Sequence, residues 1–276
     1  MPSIRMIAVD MDGTLLSPSS TISPRNLRAM RRAAEAGITL AVCSGRAAQD
    51  ISRFAREGDF PCYVSGCNGG EVLAAPFGPL LERFVFDAQT GLACIDTLRA
   101  EQIAANGFVP GGLVVMPPPY PLPMQETWTQ ECIRRGLDAL EMGEEALREA
   151  VRAGRLIKLI AFEQPGHHRL ARLQALLEAI PGVSVTSSWA DNLEVMPDGI
   201  SKGASLRRLA ERLGIAREQV MAIGDQENDR SMLAWAGCPV AMGNAVPAIQ
   251  ALCGRVTASN AEDGVAQAIE ALLGSA

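Results

Sequence analysis

The chain has 276 residues, 48% of them hydrophobic and 4% aromatic, and 25 Lys and Arg against 31 Asp and Glu leave a net charge of −6. That length and apolar fraction are enough for one or two packed domains and exclude a disordered or fibrous chain. The acidic balance argues against a nucleic-acid binder, which needs a basic stripe, and no apolar run approaches the roughly 18 residues of a membrane span.

Ile4 to Val9 is a short apolar segment that reads as a buried parallel strand, and it stops at Asp10-Met11-Asp12-Gly13-Thr14. Only Met1-Pro2-Ser3 precedes it, which leaves no stretch for a cleavable leader and predicts a cytoplasmic protein. Ser23 as N-cap, Pro24 at the first helical position and Gly37 at the end bound a helix. Ile38 to Cys43 reads as a second strand, Arg46 to Glu57 as a helix and Cys62 to Ser65 as a third strand. This alternation predicts an α/β fold, a doubly wound, Rossmann-like parallel sheet.

After Asn68-Gly69-Gly70 the pattern loosens, and residues 83–190 read as an inserted α/β domain between the two parts of a core, 1–82 and 191–276. Within the insert, Arg83 to Phe86 and Leu156 to Phe162 are expected as strands. Thr90 to Ala105, Glu126 to Ala153 (as one or two pieces) and His167 to Ala179 are expected as helices. The prolines of Pro117 to Pro123 suggest an extended surface loop. From Leu193 the core resumes, with helices over Ser201 to Leu213 and Asp229 to Ala236 and strands over Val220 to Ile223 and Pro239 to Met242. The seven cysteines contain no C-x-x-C pair, and several sit in apolar runs, as Cys43 does; they read as reduced core residues. Cys62 and Cys67 have no partner at zinc spacing.

Four segments carry chemistry. Asp10 and Asp12 place two carboxylates at a strand end, where open α/β sheets bind ligands. One can attack phosphorus and the other can move protons; an acidic turn capping the next helix is the alternative. Ser44-Gly45-Arg46 opens a helix with a hydroxyl and free N–H groups, a phosphate seat or an ordinary strand-to-helix turn. Lys202 stands at a helix start, where the dipole disfavours a cation, so it either meets an anion or is solvated. Gly224-Asp225-Gln226-Glu227-Asn228-Asp229 supplies oxygen ligands suited to Mg2+ and an amide suited to phosphate. Three of the four lie at expected strand ends and the fourth nearby, which favours one shared site.

In that order, these segments make the chain resemble the haloacid dehalogenase superfamily, specifically its Cof-like phosphatases with a large α/β cap. Asn68-Gly69, Leu193-Glu194-Val195-Met196-Pro197 and Glu262-Asp263-Gly264-Val265 add to the likeness. The resemblance implies Asp10 as nucleophile and Asp12 as general acid and base. It implies that Asp10, the Asp12 carbonyl and Asp225 hold Mg2+, with Asp229 as an accessory carboxylate, and that Ser44, Gly45, Lys202 and Asn228 grip the phosphoryl group. The expected reaction is hydrolysis of a small phosphorylated metabolite, a sugar phosphate or a nucleotide-like or cofactor-like ester, through an aspartyl-phosphate. A phosphotransferase or phosphomutase using the same intermediate, and a non-catalytic module that binds a phosphorylated ligand, are the alternatives. No nucleic-acid or membrane partner is expected, and the chain is expected to be a monomer or weak homodimer. The insert would choose the substrate, but it carries no motif that names one. Gly111-Gly112 reads as a turn or flexible point, Tyr120 and Trp128 as packing residues before stacking ones, and His167 and His168 as surface groups outside the chemistry.

Overall fold

The computed structural model describes residues 3–75, 78–119, 122–163 and 169–274, with the side chains of 138–140 also left aside. The chain divides into two compact units, Met1–Glu82 with Ser201–Ala276, and Arg83–Ile200. In chain order the first unit opens with β1 (Met6–Val9), α1 (Pro24–Glu35), β2 (Thr39–Cys43), α2 (Ala48–Glu57), β3 (Tyr63–Gly66), β4 (Glu71–Leu73) and β5 (Leu80–Arg83). The second unit contains α3 (Ala88–Ala100), β6 (Ala104–Val109), β7 (Gly112–Met116), α4 (Pro123–Arg134), β8 (Asp138–Met142), α5 (Glu144–Arg152), β9 (Lys158–Phe162), α6 (Leu170–Glu178), β10 (Val183–Thr186) and β11 (Asn192–Pro197). The chain then returns through α7 (Lys202–Arg212), β12 (Val220–Gly224), α8 (Arg230–Trp235), β13 (Cys238–Ala241), α9 (Pro247–Cys253) and α10 (Gly264–Gly274).

The first unit is a seven-stranded sheet in the order β13-β12-β1-β2-β3-β4-β5. Its first five strands are parallel, and β4 returns antiparallel to β3. All four residues of β1 are buried, as a strand flanked by partners and covered on both faces requires. Met30 of α1, Ile51 of α2, Leu206 of α7, Met232 of α8, Ile249 of α9 and Ile269 of α10 close one core with the strands. The α1 start follows its sequence signal, since the Ser23 side chain accepts from Asn26 N–H and Pro24 needs no partner for its missing donor.

The second unit is a six-stranded sheet in the order β10-β11-β9-β6-β7-β8. Side chains alternate across it. Ala105, Val114, Leu159, Ala161 and Val195 face a core shared with Ile95 of α3, Leu147 of α5 and Leu173 of α6. The intervening residues meet α4: Asn106 donates to Thr129 Oγ1 at 2.9 Å, and the Phe108 and Phe162 rings sit edge-on to Trp128. Trp128 is thus a packing residue. Lys158 and Glu194 form a buried ion pair at 3.0 Å.

Several expected boundaries shift. The chain re-enters the first unit at Ser201 and not at 191, because Asn192–Pro197 pairs antiparallel with β9 and β10. The helix expected over Thr90 to Ala105 ends at Ala100, Gln102 turns left-handed at φ 56°, and Ala104 begins a strand. That strand and β7 form a hairpin turned at Pro110 and Gly111, which places Gly111-Gly112 in a tight turn. The expected helical stretch Glu126 to Ala153 is broken by β8, and the strand expected over Arg83 to Phe86 lies at Leu80–Arg83. Pro123 starts α4 instead of extending a loop. Tyr120, His167 and His168 lie outside the described residues. All seven cysteines are free thiols and six are buried, as the reduced-core reading expects. Among the described residues, no helix is long and apolar enough to cross a membrane.

Candidate active site

The central strand β1 is flanked by β12 and β2, all three parallel, with Val9 in register with both Ile223 and Val42. Asp10, Asp225 and Ser44 directly follow these three strands, so the sheet delivers them to one edge. Asp10 N–H donates to Ile223 O at 2.9 Å, which ties the first carboxylate to the end of β12. The chain then turns sharply: Asp12 is extended, Gly13 is left-handed at φ 77°, and Leu15 and Leu16 N–H donate back to Asp10 and Met11 O at 3.2 and 2.8 Å. Glycine suits position 13 on two counts, its left-handed φ and the Asp225 carboxylate that a Cβ there would have to displace. Thr14 Oγ1 donates to Asp225 Oδ1 at 2.8 Å and locks the two acidic loops together.

Lys202, the first residue of α7, is buried against its helix-dipole preference, and two carboxylates explain it. Its Nζ lies 2.6 Å from Asp10 Oδ1 and 2.6 Å from Asp229 Oδ1. Gly203 permits this placement, because a Cβ there would collide with the Ser231 carbonyl where α7 and α8 pack. Burial alone would lower the lysine pKa, but the charges of Asp10 and Asp229 outweigh it and the ammonium is held. One lysine cannot serve three carboxylates. Burial and the neighbouring Asp229 push the Asp10 carboxyl well above its usual range, against the pull of Lys202. Burial and Asp229 likewise push Asp225 up to about 7. Asp229 is the best satisfied, with Oδ2 accepting from Asp225 and Gln226 N–H at 2.9 and 3.0 Å. Cys43, beneath the site, has its thiol pushed up to about 12 by burial and is no nucleophile.

Asp12 stands apart from this cluster, its side chain 56% exposed and gripped by Arg46 through Nε at 2.7 Å and Nη2 at 2.5 Å. Arg46 Nη1 also meets the buried Asp50 at 2.9 Å. Burial opposes the Arg46 charge, and the two carboxylates more than restore it. Ser44 is buried, with Oγ accepting from Arg46 N–H at 3.2 Å, so its own hydroxyl proton is free to donate. Gly45 lies in the same turn, half-buried. Asn228 is buried, its Nδ2 3.5 Å from Asn68 Oδ1. Asn68 and the preceding Cys67 are both left-handed, at φ 55° and 51°. The sequence motifs assign no role to Arg46, nor to Thr14, Asp50 and Asn68, which the structure brings to the site. Arg46 was the findable one: a cation three residues beyond a strand end, beside an acidic loop.

One ligand atom each from Asp10, Asp225 and Asp229 lies within 4.8 Å of the others. Three carboxylates and one lysine sum to −2, which a divalent cation cancels, and the donors are the hard oxygens Mg2+ prefers. The residues present therefore fit the metal, with Asp229 the least available as a direct ligand because protein donors already occupy both of its oxygens.

A sequence model of the haloacid dehalogenase-like hydrolases matches residues 7–269. The 5-amino-6-(5-phospho-D-ribitylamino)uracil phosphatase YwtE of Bacillus subtilis is 30% identical, over 98% of each chain. The pyridoxal phosphate phosphatase YbhA of Escherichia coli is also 30% identical, over 96% of this chain and 97% of its own. A haloacid dehalogenase-like hydrolase from B. subtilis superposes with a TM-score of 0.85 at 26% identity, covering 97% of this chain and 99% of that one. With its acidic loops at adjacent strand ends and a match that runs through both units, the chain belongs to the haloacid dehalogenase-like hydrolase family.

Proposed function

We propose that this chain is a cytoplasmic, Mg2+-dependent phosphatase that moves a phosphoryl group from a small metabolite to Asp10 and then to water. The observation that carries it is the placement of Asp10, at the end of the central strand, with one oxygen held by Lys202 and an exposed second carboxylate, Asp12, two residues on. Asp10, Asp225 and the Asp12 carbonyl, supported by Asp229, would hold Mg2+, whose charge screens the approach of a carboxylate to a phosphate anion. Lys202 fixes Asp10 Oδ1 and leaves Oδ2 to attack phosphorus. As that bond forms, the ester P–O bond breaks and Asp12, once its exposed side chain has left Arg46 and taken a proton from solvent, gives that proton to the leaving oxygen. Asp12 then takes a proton from water, which attacks phosphorus, frees Asp10 and releases inorganic phosphate. Ser44 Oγ, the Gly45 N–H, Lys202 and the Asn228 amide donate to the phosphoryl oxygens, so placement and charge do most of the work.

The test is phosphate release by the purified protein with Mg2+ on a panel that includes an aryl phosphate, pyridoxal phosphate and 5-amino-6-(5-phospho-D-ribitylamino)uracil. Asp10→Asn should be inactive throughout; equal rates in the two proteins sink the assignment. Turnover in 18O-labelled water should place label in the released phosphate, whereas a phosphomutase would release none.

A further inference from the structure

The turn that follows Asp10 leaves helical backbone angles at Asp12 and Gly13, and three of its carbonyls are met by asparagine side chains from elsewhere in the first unit. Asn244 Nδ2 donates to Gly13 O at 2.8 Å, Asn260 Nδ2 to Leu16 O at 2.8 Å, and Asn26 Nδ2 to Leu15 O at 3.3 Å. Asn244 and Asn260 are themselves joined, since Asn260 N–H donates to Asn244 Oδ1 at 2.9 Å. This settles how the Asn244 amide points: a backbone N–H can only donate and a carbonyl can only accept, so Oδ1 faces Asn260 and Nδ2 faces Gly13.

The same segment reaches the metal-facing loop. Val246 N–H donates to Asp225 O at 3.0 Å and Met242 N–H to Gly224 O at 3.1 Å. Gly13 abuts the Asp225 carboxylate directly. Residues 242–246 therefore hold the Asp12-Gly13 turn with a side chain and the Gly224-Asp225 turn with main chain, from one rigid piece anchored by Gly243 N–H to Ala258 O at 3.0 Å.

We infer that Asn244 is a positioning residue: by fixing the Gly13 peptide it sets the spacing between the Asp12 turn and Asp225, and through it the Mg2+ site and the aim of Asp12. This rests on the phosphatase reading above. Asn244→Asp is the decisive variant, since it keeps the acceptor for Asn260 N–H and replaces the donor to Gly13 O with a second acceptor.

Wild type, Asn244→Asp, Asn244→Ala and Gln250→Ala are to be compared in kcat, KM, urea unfolding without metal, and the Mg2+ concentration that half-saturates the shift in unfolding midpoint. Gln250, half-buried, donates from its side chain to Gly243 O on the same segment at 3.0 Å and not to either acidic turn, so it reports general loosening. Both Asn244 variants should lower kcat by about tenfold or more with KM within about threefold, as a misplaced proton-transfer group does. They should also raise the half-saturating Mg2+ concentration by about tenfold or more, the size of a supporting-contact effect. The metal-free midpoint should stay near wild type, and Gln250→Ala should match wild type in every measure. Unchanged kcat and Mg2+ response in Asn244→Asp overturn the inference and leave the phosphatase reading intact, as does an equal loss in Gln250→Ala. If wild type releases no phosphate from any substrate, the phosphatase reading fails instead, and the Mg2+ response of the folded chain decides the role of Asn244 alone.

Discussion

Replacing Asp10 by asparagine should make the metal-free protein more stable while abolishing turnover. The ion pair with Lys202 at 2.6 Å, taken at an effective dielectric constant of about 20, is worth about 6 kcal/mol of attraction. On the same basis, each of the two carboxylates whose oxygens lie within 4.8 Å of those of Asp10 repels it by at least about 3 kcal/mol. The two repulsions cancel the attraction, and the cost of taking the Asp10 charge out of water is left uncompensated. Asparagine keeps an oxygen for Lys202 and removes the charge, so a gain of about 1–3 kcal/mol is expected from urea unfolding with a chelator present. Because burial and Asp229 hold the Asp10 carboxyl above its usual range, its stabilising contribution is fully present in acid and is lost as pH rises. The advantage of Asp10→Asn should thus grow as pH rises above the usual carboxylate range and vanish in acid, where Asp10 is protonated folded and unfolded alike. Saturating Mg2+ should reverse the order, since a ligand at about 100 times its Kd adds about 2.7 kcal/mol and the variant has lost one of the carboxylates that bind it. An Asp10→Asn protein less stable than wild type in chelator at alkaline pH would refute this account of the site.

The remaining predictions concern the groups around it. Asp225 is pushed up to about 7 from an ordinary 3.8, so metal-free stability should fall as pH rises between those values, by at most about 4 kcal/mol, and the Mg2+-induced rise in Tm should be larger near about pH 8 than near about pH 5.5. Equal Mg2+ shifts at the two pH values, or a pH dependence undiminished in Asp225→Asn, would contradict it, since only the part due to Asp10 should remain there. Arg46→Lys cannot keep both bonds to Asp12 and the one to Asp50, so kcat should drop with a smaller change in KM and stability should fall by about 1–3 kcal/mol as the buried Asp50 loses its shorter arginine contact and keeps that of Arg53; steady-state kinetics and urea unfolding check both. Gly13→Ala should fold and lose most of its Mg2+ response, because the new methyl displaces Asp225 and the left-handed backbone costs about 1–2 kcal/mol; metal titration by thermal unfolding measures it. In the second unit, Lys158→Met should cost about 3–5 kcal/mol by removing the ammonium that neutralises the buried Glu194 charge, and adding Glu194→Met should recover much of it. A double variant no better than the single one would place the cost in the lost packing of Lys158 over the Phe108 ring, 4.5 Å away.

The legible part of this protein is the part whose signals are local. A buried strand four residues long and an N-cap such as Ser23 announce themselves within a few neighbours, so the alternation from β1 to β3 and from α7 to β13, and the strand ends bearing Asp10, Ser44 and Asp225, follow from short windows. The second unit defeats that approach for identifiable reasons. Ala104–Val109 carries Asn106 and Gly107 at its centre, which blunts any strand alternation, and each is explained only by a distant partner: Asn106 by Gln125 and Thr129 of α4, and Gly107 by Leu147 of α5, which leaves no room for a Cβ. The sequence places Leu193 at the resumption of the core, yet the sheet that Asn192–Pro197 joins is decided by pairing with β9, whose sequence lies some thirty residues away. The same distinction runs through the site. Asp10 and Asp12 are visible as a pair because they are neighbours in the chain, whereas Arg46 on Asp12 and Asn244 on Gly13 are joined across 34 and 231 residues. The chemistry is therefore written in short motifs, and the geometry that makes it work is supplied by residues whose role exists only once the sheet has brought the motifs to one edge.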